Sequence, residues 1–212
     1  GTSYRCYVAS DHTRTRSWPL VITLHGPCPL DSTKRQVKEW QWLAEENGLI
    51  VAAPSIRSGG GIGSTIQSVW LKRLESDEKA ILALINEMRR KYNADSKMVL
   101  LTAASTGGDA MYYTGLRNPS RFTMLVARGG SSSLKIFEQI KPTDAARELP
   151  IWVLWGKDEL PSVQRQSWQA FRYLREHGFR KTEKREERGG SLRRPELTFS
   201  FWKPLLPESY RR

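Results

Sequence analysis

The sequence predicts an α/β fold, a mostly parallel central sheet with helices on both faces. Three observations predict it. Short apolar runs of strand length alternate along the chain with amphipathic stretches of helical length. The runs are apolar at consecutive positions, as strands buried on both faces must be. Two of the helical stretches end in the stop signals Asn47-Gly48 and His177-Gly178. The chain has 212 residues, of which 39% are hydrophobic and eight are Trp. That is apolar material enough for one core, so one domain spanning residues 1–212 is expected.

Taken in order, residues 4–8 read as an edge strand and residues 19–24 as the first buried one. Residues 34–47 read as a helix and 49–53 as the next strand. Residues 58–64 hold four Gly, three of them consecutive, and no basic residue follows Arg57 within them. A phosphate-cradling loop needs a Lys near the phosphates, so this segment reads as a flexible surface loop. Ile81, Leu84, Ile85 and Met88 then fall on one helical face, in a helix expected to start near Ser76. Strands follow at 98–103, 124–127 and 151–155, with helices at 108–116 and 163–177. A final, more polar strand is expected at 182–188. Trp40, Leu43, Trp168, Phe171 and Leu174 are expected to face the sheet.

The longest apolar runs, residues 49–54 and 98–104, fall far short of the roughly 20 residues that cross a bilayer, so no membrane span is expected. Cys6 and Cys28 are too few for a disulfide framework and lack zinc-site spacing; both are expected to be free thiols. No metal or other cofactor is implied. Residues 1–4 carry neither a charged leader nor an apolar segment, so a signal is absent or lies outside this sequence. The net charge of +12 favours anionic partners, which makes nucleic acid or an anionic surface a lesser alternative. Its densest stretch, residues 180–194, interleaves Glu183, Glu186 and Glu187 with the bases, as a solvated face does.

The chemistry concentrates after the 98–103 strand, where Ala103-Ala104-Ser105-Thr106-Gly107-Gly108 leads into a helical pattern. A strand, a small-residue turn and a helix place a serine hydroxyl above the sheet, with the next backbone N–H facing a developing oxyanion. Ser105 is the candidate nucleophile and Thr106 the candidate donor. Upstream, WPLVITLHG runs into Pro27, which has no N–H to offer, so a second donor must come from another residue such as Cys28.

Residues 19–26 (PLVITLHG), 48–54 (GLIVAAP), 93–95 (NAD) and 103–108 (AASTGG), with an opening strand ahead of them, resemble the α/β-hydrolase superfamily. Within it they are most similar to polyhydroxybutyrate depolymerase and feruloyl esterase-like carboxylesterases. The resemblance implies an α/β-hydrolase fold and a small-molecule or polymeric ester as substrate, and it makes His25 a brace of the oxyanion loop. Residues 151–161 resemble the strand and loop that carry the triad acid, Asp158 first and Glu159 close behind. The family's base is a histidine in a Gly-rich loop after the last strand; here that stretch is Arg188-Gly189-Gly190-Ser191-Leu192-Arg193-Arg194-Pro195. Among His12, His25 and His177, only His177 follows Ser105 and Asp158 in order, and its position reads as a helix terminus. Two functions are therefore carried forward: an esterase acting through Ser105, and a degenerate pseudoenzyme that binds through the same fold.

Overall fold

The computed structural model describes residues 2–59, 66–130, 132–190 and 193–210. In chain order its elements are strands β1 (Tyr4–Val8) and β2 (Trp18–Leu24), helix α1 (Thr33–Asn47), β3 (Ile50–Pro54) and α2 (Gln67–Tyr92). Then come β4 (Ala94–Ala104), α3 (Gly107–Arg117), β5 (Met124–Arg128) and two single-turn helices, α4 (Lys135–Glu138) and α5 (Asp144–Arg147). The chain continues through β6 (Ile151–Gly156), α6 (Pro161–Glu176), β7 (Thr182–Glu187) and α7 (Pro195–Trp202). Among the described residues seven strands form one sheet in the order β1-β3-β2-β4-β5-β6-β7. All neighbours are parallel except β1, which pairs antiparallel with β3 at one edge.

Alternation along the buried strands builds two cores. Leu20, Ile22 and Leu24 of β2 point to one face, where they meet Trp70, Leu74, Ile81 and Met88 of α2, Met111 and Leu116 of α3, and Leu174 of α6. Val21 points to the other face with Val51, Leu100, Val126 and Leu154, under Trp40 and Leu43 of α1 and Phe199 and Trp202 of α7. Helices therefore cover both faces, and the carboxyl ends of the central strands are left to carry loops, where open parallel sheets place their sites.

Four expectations about the elements change. Helix α2 begins at Gln67, not near Ser76. Its first turns are polar and largely exposed apart from Trp70 and Leu74, so no stripe announced them. Trp168 is 43% exposed, because the buried stripe of α6 is made by Ser167, Ala170 and Leu174. Helix α7 had no counterpart in the sequence reading. Of the Gly-rich segment, Ser58 is buried rather than on the surface, with its N–H and hydroxyl both donated to Asp77. Gly60, Gly61 and Gly63 lie outside the described residues.

Candidate active site

Ser105 stands between β4 and α3 with a left-handed backbone, φ +50°. A side chain in that region is strained, and it persists only where the surroundings hold it. Here they do: the Ser105 N–H donates to the Arg128 carbonyl at 3.2 Å, and the Ser105 carbonyl accepts from Gly108 N–H at 3.0 Å. The turn is also sterically closed. A Cβ on Gly107 would lie 2.7 Å from the His25 carbonyl oxygen and 3.3 Å from that of Leu24, both rigid backbone. A Cβ on Gly26 would come within 3.0 Å of the Ser105 Cβ. Only glycine lets the end of β2 and the start of α3 meet beside the serine.

His25 is buried and uses both ring nitrogens. Nδ1 bonds the Gly26 carbonyl at 2.7 Å and Nε2 accepts from Ile56 N–H at 3.1 Å, which fixes the tautomer as Nδ1–H. It ties the loop after β2 to the loop after β3. Thr106 donates its hydroxyl to the Gly59 carbonyl. Its backbone N–H, at the start of α3, has no acceptor among the described residues. Cys28 is exposed, with its thiol donating to the Asp31 carbonyl at 3.3 Å.

Ser105 opens into a cleft of about 580 Å³, which Asp158, Glu159, Asp31 and Arg193 also line. The two acids after β6 point different ways. Asp158 is exposed and accepts from Gly189 N–H at 3.0 Å, gripping the loop after β7. Glu159 is half-buried: Oε2 accepts from Gly156 N–H at 3.1 Å, and the carboxylate lies over Gly129, where a Cβ would meet Oε1 at 2.5 Å. His25, Thr106 and Cys28 are not among the residues lining the cleft.

Beneath the cleft is a charged network that the sequence reading missed. Arg128, at the end of β5, is fully buried and donates to Thr102 Oγ1, Thr23 Oγ1, Gln36 Oε1 and the Arg193 carbonyl, with Glu39 3.6 Å away. Burial lowers its pKa to about 10, against the pull of Glu39, so it stays charged at neutral pH. Arg193 bonds Glu39 and reaches Asp31 at 2.8 Å. Asp31 also accepts from Gly26 N–H, Ser32 N–H and Gln36 Nε2. Burial alone would raise the Asp31 carboxyl, but the bond from Arg193 and those from the Gly26 and Ser32 amides outweigh it and hold the group below its ordinary value. The network fastens three segments around Ser105: the loop after β2, the end of β5 and the loop after β7. An Arg closing an otherwise apolar strand was its only signal in the sequence.

No family model matches the chain. Over 141 residues it is 26% identical to the bifunctional acetylxylan esterase/xylanase XynS20E of Neocallimastix patriciarum, a match covering 66% of this chain and 19% of that protein. The chain thus spans about a fifth of the length of that relative. Among solved structures, esterase PE8 superposes with a TM-score of 0.71 at 17% identity, covering 97% of this chain and 99% of that one. This is the α/β-hydrolase fold. A thermostable esterase (TM-score 0.62, 22% identity, 88% of this chain and 51% of that one) and a ferulic acid esterase (0.64, 14%, 99% and 92%) share it.

Within the α/β-hydrolase fold, the loop after β7 is where the resemblance led us to look for a base. Ser191 and Leu192 of that loop lie outside the described residues, and Arg193 enters the cleft beside them. His12 Nε2 bonds the Tyr92 carbonyl at 2.7 Å. His177 Nδ1 bonds the Tyr173 carbonyl at 2.8 Å, and its ring stacks on Tyr173. Neither lines the cleft. No group of His, Cys, Asp or Glu among the described residues is arranged to hold a metal.

Proposed function

We propose that this chain is a serine hydrolase that cleaves a carboxylic ester, small or polymeric, with Ser105 as nucleophile. The observation that carries the proposal is Ser105 itself, a left-handed non-glycine residue between strand and helix that opens into a cleft. The fold's likeness to solved esterases and the match to an acetylxylan esterase support the same class. They lend nothing to the pseudoenzyme alternative. Nucleic-acid binding rests on net charge alone.

In this proposal Ser105 Oγ attacks the acyl carbon and the carbonyl electron pair moves onto oxygen. The Thr106 N–H stabilises that oxyanion, with the Cys28 N–H as the second donor, since Pro27 has none. His25 keeps the loop in shape. Asp158 orients the site through its hold on the loop after β7, and Glu159 adds a second carboxylate. The tetrahedral species then expels the alcohol, and water clears the acyl-enzyme. Removing one member of a complete triad costs on the order of 10⁴–10⁶ in rate, so turnover slower than that of a histidine-based esterase is expected.

A fluorophosphonate probe and p-nitrophenyl acetate test this. Labelling and turnover in the natural chain, both lost in Ser105→Ala, support the proposal. If the natural chain shows neither, or Ser105→Ala keeps both, the proposal fails.

A further inference from the structure

Helix α1 sends two consecutive side chains into different hollows. Arg35 lines the Ser105 cleft, and Lys34 lines a second groove of about 570 Å³ between α1 and the edge strand β1. The two hollows therefore flank the first turn of a helix about 10 Å across. Residues 34, 38 and 41 have the i, i+4, i+7 spacing of one helical face, so Lys34, Lys38 and Gln41 form one wall of the groove. The other wall is β1. Tyr4, Cys6 and Val8 pack toward α2, which leaves Arg5 on the α1 side, in the groove with the lysines.

The charge in this groove is uncompensated. Arg5, Lys34 and Lys38 are exposed, and among the described residues none of the three side chains has an ion pair or a hydrogen bond. No Asp or Glu among the described residues lines the groove, and none occurs among the residues outside them. Glu45, the carboxylate one turn beyond Gln41, is bonded to Tyr7 and Ser10. Three cations turned into one concave surface repel one another and draw in anions. Lys34 and Lys38 stand one helical turn apart, about 5–6 Å between Cβ atoms, which suits a ligand whose negative charges repeat. The Gln41 amide offers a donor and an acceptor to hydroxyl groups.

We propose that this groove binds the backbone of a carboxylate-bearing polysaccharide, one of whose ester groups reaches Ser105 across the first turn of α1. This rests on the esterase reading above and narrows its substrate class to esters on acidic polymers. A nucleic acid fits the same charge less well. It has no carboxylic ester for Ser105, and the groove offers no exposed ring for a base to stack on, since Tyr4 is turned to the α2 side with its hydroxyl on Glu87.

The experiment compares acetylated polygalacturonate, equally acetylated dextran and p-nitrophenyl acetate as substrates of the natural chain and of the triple variant Arg5→Gln/Lys34→Gln/Lys38→Gln. The triple variant is expected to raise KM for acetylated polygalacturonate about tenfold with kcat little changed, and to leave the two uncharged substrates alone. Lys34→Arg/Lys38→Arg keeps the charge and should keep the low KM. Salt at about 0.5 M should raise the natural chain's KM for acetylated polygalacturonate toward that of the triple variant. Calorimetry with unesterified polygalacturonate reads binding without turnover. The assignment is overturned by equal KM in the natural chain and the triple variant, or by an equal loss on acetylated dextran. Single-stranded DNA binding more tightly than polygalacturonate at the same salt also overturns it, in favour of a nucleic-acid site. If no ester is cleaved while polygalacturonate binds the natural chain and not the triple variant, the esterase reading falls and the groove assignment stands.

Discussion

Asp109 sits in the first turn of α3, four residues after Ser105, and is 1% exposed. Burial pushes its carboxyl up to about 7, against the pull of the Ser133 N–H and the Trp70 indole. Oδ1 has no hydrogen-bond partner among the described residues. A rise from 3.8 to about 7, at about 1.4 kcal/mol per unit, amounts to about 4 kcal/mol. Its sign follows from where the proton is held. Between about pH 4 and pH 7 the unfolded chain has released this proton and the folded chain has kept it, so raising the pH favours unfolding. The contribution is fully present below the unfolded value, is lost as pH climbs to about 7, and is constant above. Tyr112 also faces Asp109, but burial raises its hydroxyl, which stays neutral throughout. Asp109→Asn keeps the shape and cannot ionise. Urea unfolding followed by Trp fluorescence from pH 4.5 to 8.5 should show the variant gaining on the natural chain as pH rises, by up to about 4 kcal/mol above pH 7. A difference between the two proteins that does not change with pH refutes the reasoning.

Gly107→Ala must push a Cβ against two backbone carbonyls; it should cost about 3 kcal/mol or more in thermal unfolding and abolish fluorophosphonate labelling. Ser105→Gly relieves the left-handed strain that Ser105→Ala keeps, so the Gly variant should be about 1 kcal/mol more stable than the Ala variant in the same melt, with equal stability counting against a strained elbow. Arg128→Met leaves Thr102, Thr23, Gln36 and the Arg193 carbonyl without their buried donor and removes one of the cations beside Glu39, which keeps Arg193, and should cost about 3–5 kcal/mol in urea unfolding. Adding Glu39→Gln should return part of that loss, and strictly additive effects would show that the two charges are not coupled.

What the sequence disclosed follows from the range over which each feature acts. The strands were legible because burial on both faces leaves uninterrupted apolar runs, and Ser105 was legible because strand, small residues and helix are contiguous. Trp168 is exposed although its helical spacing with Phe171 and Leu174 pointed to burial, because the contact of α6 with the sheet is made by the smaller Ser167 and Ala170 beside Leu174. Helix α7 was missed because Pro195–Trp202 is short and apolar without a clear stripe. The Arg193–Asp31 bond joins residues 162 apart, and no local pattern encodes such a pairing.

The surroundings of two departures from the α/β-hydrolase pattern set what each costs. Ala103 stands where the serine motif has its first glycine, but it lies within β4, paired with Leu24 and Ala127, and is fully buried. That position must be small without needing a left-handed backbone, so alanine serves. Pro27 has no N–H and the neighbouring Gly26 N–H is already given to Asp31, which the Arg193 bond holds ionised, so in the proposed mechanism a second donor from this loop has to be the Cys28 N–H. Among the described residues two that are not glycine are left-handed, Ser105 and Asn93, and Asn93 is the C-cap of α2, a position where asparagine is at home. At position 105 glycine would be about 1 kcal/mol easier than serine, and the structure holds a serine there instead, over a fitted Gly107 and beside a cleft with three carboxylates. Asn93 ends a helix and carries no group that could attack a carbonyl, whereas the strain at Ser105 is held at a hydroxyl beside a cleft, which is what the proposed nucleophile requires.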